Sequence, residues 1–256
     1  MTDLFEMLRR LGLRLSREAL DALLTHAQKN RLSAAQLLEQ VCVIEQRERD
    51  TRNLARRAKA ATIGNCMPLD KFDWNHPRTI DRHLYENLLT LDFLTRGDNV
   101  LFRGQAGVGK TSLAQNLGLR ALERGHTVRF STVPTALVDL LRQESLPATE
   151  RRLRRYTAPD LLILDELGYV PCDSRAADLL FNIVSRRHEK RSIVITTNLA
   201  YKQWGSVFHD ASCLGALVDR FAQHCHLLDI DADSWRQKKS LEPPLPKSAP
   251  NKPRKR

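Results

Sequence analysis

The chain has 256 residues, 42% of them hydrophobic and 28% charged, with a formal net charge of +11. That length and apolar fraction suffice for one sizeable α/β core with additions, and they exclude a fibrous or wholly disordered chain. No stretch approaches the roughly 18 apolar residues of a membrane span. The opening Met1-Thr2-Asp3-Leu4-Phe5-Glu6 lacks a basic region followed by an apolar one. Five scattered cysteines without a C-x-x-C pair suit reduced thiols. A cytoplasmic protein with no membrane partner is therefore expected.

Residues 1–61 read as a helical domain. Ser16 can cap a helix carrying Leu20, Leu23, Leu24 and Ala27, and Ser33-Ala-Ala-Gln36 fits a capping box before a helix with Leu37, Leu38, Val41 and Ile44. Two capped helices joined by a short turn suit either a helix-turn-helix or a plain helical hairpin. Residues 62–78, with Gly64, Pro68 and sparse apolar periodicity, read as a linker. Ile80 to Leu94 then predicts an amphipathic helix leading into a buried strand at Val100-Leu101-Phe102.

Directly after that strand stands Gly104-Gln105-Ala106-Gly107-Val108-Gly109-Lys110-Thr111, a complete G-x-x-x-x-G-K-T phosphate loop. Ser112 to Leu122 follows with Leu113, Leu117 and Ala121 at helical spacing, so the loop lies between strand and helix as its chemistry requires. Glycines let successive N–H groups turn inward around phosphate, and the helix N-terminus adds positive partial charge. Lys110 is expected to reach the β- and γ-phosphoryl oxygens and Thr111 to ligate magnesium, with Gly104 through Ser112 holding ATP. The pattern arises by chance in roughly one chain in a hundred of this length.

Val128 to Phe130 reads as the next strand, followed by a helix through Ala136, Leu137, Leu140 and Leu141. Leu161-Leu-Ile-Leu164 is a continuous apolar strand ending in Asp165-Glu166. At the C-terminal edge of a parallel sheet, where ligands bind, Asp165 can hold Mg²⁺ and Glu166 can orient or deprotonate an attacking water. Ser192-Ile-Val-Ile195 ends in Thr196-Thr197-Asn198, which places Asn198 at the same edge, within reach of the γ-phosphate or its water. The alternation predicts a parallel sheet wrapped on both faces: an α/β P-loop NTPase spanning residues 79–236. His224-Cys225-His226 looks metal-like, but strand alternation separates the thiol from the imidazoles and no second ligand pair follows. Residues 237–256, rich in Pro and Lys, read as a disordered basic tail.

The positive charge is clustered. Arg47, Arg49, Arg52, Arg56, Arg57 and Lys59 close a long helix, Arg151, Arg152, Arg154 and Arg155 precede the Asp165 strand, and the tail supplies a third group. Each could be a solvated helix face. Together they point to nucleic acid, with Arg52, Arg56, Arg57, Lys59, Arg151, Arg152, Arg154 and Arg155 as candidate contacts.

These motifs, with Phe72-Asp-Trp, Leu164-Asp-Glu-Leu-Gly-Tyr169, Leu180-Phe-Asn-Ile-Val-Ser-Arg-Arg187, Thr196-Thr-Asn-Leu199, Trp204-Gly-Ser-Val-Phe208, Val218-Asp-Arg-Phe221 and Asp233-Ser-Trp-Arg236, span nearly the whole chain. In that order the chain resembles the IstB-like helper ATPases of bacterial insertion-sequence transposition, relatives of the DnaC helicase loaders within the AAA+ superfamily. The resemblance implies ATP hydrolysis, ATP-dependent homo-oligomers on double-stranded DNA, and recruitment of a transposase. It further implies that Arg220 acts as an arginine finger toward a neighbouring subunit's nucleotide, that Arg236 is the second sensor arginine, and that Asn198 is the first sensor. Where members usually read Gly-x-Pro-Gly-x-Gly, this chain has Gly104-Gln-Ala-Gly-Val-Gly109, which keeps the turn glycines and Lys110. Alternative readings are a helicase loader, a small-molecule P-loop kinase and a nonhydrolysing nucleotide-gated scaffold.

Overall fold

The computed structural model describes residues 3–169, 172–208 and 211–235, and the chain divides into two compact units, residues 1–64 and 65–256. Arg236 and the basic tail lie outside the described residues, so the expectations for them have no counterpart below.

The first unit is helical. Asp3 caps α1 (Leu4–Arg10). Ser16 Oγ accepts the Ala19 N–H at 3.2 Å and starts α2 (Arg17–Asn30). The expected capping box opens α3 (Ala34–Ala61): Gln36 Oε1 accepts the Ser33 N–H at 2.9 Å, and Ser33 Oγ accepts the Gln36 N–H at 3.3 Å. Arg31, left-handed at φ 50°, ends α2, so the chain reverses within three residues. α3 then runs back along α2. Buried Glu45 accepts the Arg14 N–H at 2.6 Å, Glu48 accepts the Ser16 N–H at 3.2 Å, and Arg52 donates to the Arg14 carbonyl at 2.9 Å. The start of α2 thus faces the middle of α3, which makes an antiparallel hairpin; a helix-turn-helix would cross at roughly 90–120°. With 28 residues against 14, α3 outruns its partner.

The second unit is a six-stranded sheet of order β1-β6-β2-β5-β4-β3. Its strands are β1 (Thr79–Ile80), β2 (Asn99–Gly104), β3 (Val128–Thr132), β4 (Leu161–Leu167), β5 (Ser192–Thr197) and β6 (Cys225–Asp231). Only the β1–β6 pair is antiparallel. The inner strands are continuous apolar runs because both faces are covered. Leu101, Leu162, Leu164, Ile193 and Ile195 pack on one side with α7 (Val133–Leu141), α8 (Leu146–Thr157), α9 (Ser174–Arg187) and α10 (Leu214–Ala222). Phe102 turns to the other side, toward Tyr85 of α4 (Arg82–Leu88), whose hydroxyl donates to the Leu113 carbonyl of α6 (Lys110–Glu123) at 3.0 Å.

Two expectations change. The helix predicted over Ile80–Leu94 is broken into α4 and α5 (Asp92–Arg96), with Leu91 left-handed at φ 72° between them. Leu88, Leu91 and Phe93 are all buried. At 100° per residue a continuous helix would point Leu91 and Phe93 to opposite sides, so the break lets both turn inward. The stretch expected to be a linker carries structure from residue 65 onward: Leu69–Lys71 forms a 3₁₀ turn, and Phe72, Trp74 and Tyr85 meet edge-on and tilted with centroids 4.8 and 5.6 Å apart. Aromatic contact, which leaves no periodic trace, holds it.

Arg187, at the end of α9, is fully buried without a carboxylate partner. Its guanidinium donates to the carbonyls of Tyr156, Thr157, Pro159, Asp160 and Ser192 at 2.7–3.2 Å. Carbonyls at the end of α8, which have no helical donor, thereby find one. Burial pushes the Arg187 pKa down to about 9, so it stays charged at neutral pH.

Candidate nucleotide site

The order β2-β5-β4 sets the C-terminal ends of three strands side by side, and the loop after β2 together with residues of β4 and β5 lines one cavity of about 240 Å³. The phosphate loop leaves β2 and enters α6 at Lys110. Gly107 (φ 80°) and Gly109 (φ 97°) are left-handed, and each is pressed by a neighbour. A Cβ on Gly107 would collide with the Ser234 hydroxyl, and one on Gly109 would lie 2.6 Å from the Phe72 ring. Both glycines are needed for backbone angle and for space. Lys110 is buried, its Nζ 2.7 Å from the Gly104 and Gln105 carbonyls inside the curl of the loop.

Asp165 ends the straight part of β4 at 3% exposure. Its Oδ1 and Oδ2 accept from the Thr111 hydroxyl at 3.1 and 3.0 Å, and Oδ1 also accepts from the Thr196 hydroxyl of β5. Hydroxyl and carboxylate oxygens converging beneath a phosphate loop are the hard donors that magnesium takes, usually with waters and phosphate oxygens completing its shell. These residues fit that ion. Just past Asp165 the β4–β5 register slips by one residue between Leu164 and Leu167. Such a bulge re-aims side chains. Glu166 stands in it, exposed and left-handed at φ 65°, and lines the cavity beside Thr196.

The cavity gathers Ala106 through Ser112, Glu166 and Thr196, as the sequence pattern predicts for the loop and the β4 edge. Its outer wall was not legible. Met67, Lys71, Phe72, Asp73 and His76 come from the supposed linker, Tyr169 follows β4, and Trp235 follows β6. The Trp235 N–H donates to the Gly107 carbonyl at 3.2 Å, His76 Nε2 lies 2.8 Å from the Asp233 carbonyl, and Arg78 grips the Asp233 carboxylate at 2.8 and 2.9 Å. Phe72-Asp-Trp and Asp233-Ser-Trp were the only signals for it.

Other expected residues lie apart. Asn198 is exposed and lines a neighbouring hollow with Gly104 and Gln105, and is not among the lining residues of the cavity that Thr196 enters. Arg220, half-buried on α10, donates to the Ser185 hydroxyl and lies 4.9 Å over the Phe181 ring; it is not among the cavity's lining residues. Arg52 is engaged with Glu45 and Glu48 at 3.2 Å each. Arg152 and Arg155 face Asp139 at 3.0 and 3.8 Å, while Arg151 and Arg154 are exposed without an ion pair among the described residues. Arg56 and Lys59 are likewise exposed on α3, and Arg57 is half-buried. In the His224-Cys225-His226 stretch, burial pushes the Cys225 thiol up to about 11 and His226 Nε2 lies 3.2 Å from Asp98, so the two side chains serve separate contacts.

The family model "IstB-like ATP binding protein" matches residues 6–243. The chain is 34% identical over 238 residues to the insertion sequence IS21 ATP-binding protein of Pseudomonas aeruginosa, covering 93% of this chain and 90% of that one. It is 30% identical over 231 residues to the insertion sequence IS5376 ATP-binding protein of Geobacillus stearothermophilus, covering 90% and 92%. Among solved structures, DnaI superposes at TM-score 0.55 with 18% identity, over 66% of this chain and 92% of DnaI. AMPPCP-bound DnaA from Aquifex aeolicus superposes at 0.50 with 22% identity, over 62% and 50%. The fold is that of the AAA+ P-loop proteins.

Proposed function

The chain belongs to the IstB-like ATP-binding proteins of insertion sequences and is an AAA+ ATPase, and from that premise we propose that it assembles on double-stranded DNA with ATP, hydrolyses it, and brings a transposase to the target. The observation that carries the nucleotide chemistry is the Thr111 hydroxyl set against both oxygens of buried Asp165, with Glu166 alongside on a bulge.

In this reading the phosphates lie in the curl of Gly104–Thr111, with Lys110 released from the loop carbonyls to face the β- and γ-oxygens. The aromatic wall of Phe72, His76 and Trp235 takes the base. Thr111 and Asp165 would hold magnesium, which would supply positive charge against the phosphoryl oxygens. Glu166 orients a water whose oxygen bonds to the γ-phosphorus as the bond to the β–γ bridging oxygen breaks; the water's proton passes to Glu166. Charge on the γ-oxygens calls for a cation opposite the loop. Because Arg220 does not line its own chain's cavity, it suits the nucleotide of an adjacent copy, and Arg236 keeps its proposed sensor role. Asn198, in the neighbouring hollow beside Gly104 and Gln105, keeps its proposed sensor role.

DNA contact is assigned first to Arg56, Lys59, Arg151 and Arg154, exposed and without an ion pair among the described residues, and then to Arg52, Arg57, Arg152 and Arg155 after their partners let go. Sizing the protein with duplex DNA tests the assembly. Large complexes are expected with ATP, small ones with ADP, and small ones for Arg220→Ala under either nucleotide. Equal assembly in all four conditions refutes the nucleotide switch.

A further inference from the structure

Thr196 is 1% exposed, lies on the central strand β5, and yet sends its hydroxyl to the nucleotide cavity. A threonine hydroxyl has one proton to donate and lone pairs to accept. Here both are used. The proton goes to Asp165 Oδ1, and the oxygen accepts the Glu166 backbone N–H at 3.1 Å. Those are adjacent residues with different tasks. Asp165 is the carboxylate beside Thr111, and Glu166 is the left-handed residue in the bulge.

A bulge leaves its extra residue outside the ladder, so the Glu166 N–H loses its strand partner. Left unpaired near the core it would be costly. The Thr196 hydroxyl replaces the missing carbonyl. One residue on, Thr197 Oγ1 donates to the Leu167 carbonyl at 2.8 Å, which pins the far end of the same bulge. By donating to Oδ1, Thr196 also restrains rotation of the Asp165 carboxylate, both of whose oxygens accept from the Thr111 hydroxyl.

We infer that Thr196 is a positioning residue for hydrolysis: its single hydroxyl fixes the metal-side carboxylate of Asp165 and the water-side backbone of Glu166 together. The inference rests on the roles proposed above for those two carboxylates. It also reassigns the polar work of the β5 strand end inside the cavity from Asn198 to Thr196. Hydrogen bonds that orient a metal ligand typically change metal affinity or activity by about 10–100-fold when removed.

Thr196→Val keeps the shape and removes the hydroxyl, whereas Thr196→Ser keeps the hydroxyl and removes the methyl. Steady-state ATPase activity at saturating magnesium gives kcat and KM for ATP, and the half-saturating magnesium concentration is measured without turnover, by binding of a nonhydrolysable ATP analogue. For Thr196→Val, kcat should fall about 10–100-fold and the half-saturating magnesium concentration should rise in the same range, with KM for ATP changed less than about 3-fold. Thr196→Ser should stay within about 3-fold of the parent on all three. An unchanged magnesium dependence for a folded Thr196→Val overturns the inference, and so does a Thr196→Ser as impaired as Thr196→Val, which would make the methyl's packing the cause. If Thr196→Val does not fold, Thr196→Ala against Thr196→Ser decides on the same criteria. Asp165→Asn and Glu166→Gln are run in parallel. If those two still turn over ATP, it is the underlying assignment that fails; if they are inactive and Thr196→Val is not, this inference alone falls.

Discussion

Glu166 occupies a backbone conformation that its side chain disfavours, which makes its removal a test of structure and chemistry at once. A left-handed non-glycine residue costs roughly 1–2 kcal/mol, and Glu166 has φ 65°. Glycine at this position relieves that cost but adds freedom to the unfolded chain worth about 0.4–1 kcal/mol. The exposed Glu166 side chain contributes little packing, and its N–H bond to Thr196 is a backbone bond that survives the substitution. Glu166→Gly should therefore stabilise the protein by about 0.5–1 kcal/mol, or about 1–4 °C in Tm at roughly 2–4 °C per kcal/mol for a unit of this size. Removing a carboxylate next to Asp165 also relieves repulsion, so Glu166→Gln, which keeps the backbone strain, is the reference. Scanning calorimetry without nucleotide avoids stabilisation by bound ligand. Glu166→Gly should melt above Glu166→Gln, and both should lose about 10²–10⁴ in turnover if Glu166 handles the water's proton. Melting at or below Glu166→Gln refutes the strain argument. Turnover within tenfold of the parent refutes the base assignment.

Arg187→Met strands several of the five carbonyls that the guanidinium satisfies; with about 1–3 kcal/mol per unsatisfied buried group and partial relaxation, a loss of about 3–5 kcal/mol is expected in urea unfolding, and a loss under 1 kcal/mol would show that water replaces the arginine freely. For DNA, the slope of log affinity against log salt should fall by about 0.9 for each phosphate contact removed. Arg56→Ala, Lys59→Ala, Arg151→Ala and Arg154→Ala should each lower it, and Arg152→Ala should change it least because its Nε is 3.0 Å from Asp139. An equal effect of Arg152→Ala would show that the Asp139 pair opens on binding.

What could be read in advance was whatever the sequence encodes consecutively. Gly104 to Thr111 and the Leu161–Asp165 strand end are local patterns whose geometry follows from their own spacing, and the structure places Thr111 and Asp165 in contact. The capping box at Ser33 is local too. Residues brought together by the fold were not legible. Phe72 and Trp235 carry no periodicity, and only the packing of residues 67–76 and 233–235 around the loop reveals them as cavity walls. Thr196 was visible as part of Thr196-Thr197-Asn198, but which of the three enters the cavity depends on the bulge, and a one-residue slip in β4 cannot be read from apolar runs. The partners of the arginine clusters were hidden for a related reason: Asp139 and Glu45, which engage Arg152 and Arg52, stand 13 and 7 residues away on the chain.

The two sides of the cavity also differ in how firmly they are built. The floor is carried by β2, β5 and β4, whose apolar residues are buried on both faces, and by carboxylate and hydroxyl contacts to Asp165. The outer wall is held by β1, a strand of two residues, by the Arg78 N–H bonded to the Asp231 carbonyl at 2.7 Å, by the exposed Arg78–Asp233 pair, by the Trp235 N–H on the Gly107 carbonyl and by the Phe72–Trp74–Tyr85 contacts. An exposed ion pair contributes at most about 1 kcal/mol, so the 233–235 side of the wall is held less firmly than the floor, whose strands are buried on both faces. A ligand that touches both sides imposes less ordering on the floor than on residues 233–235. In the proposed cycle that wall, directly preceding Arg236 and the basic tail, is the part of the ATPase unit best placed to differ between the triphosphate and diphosphate states.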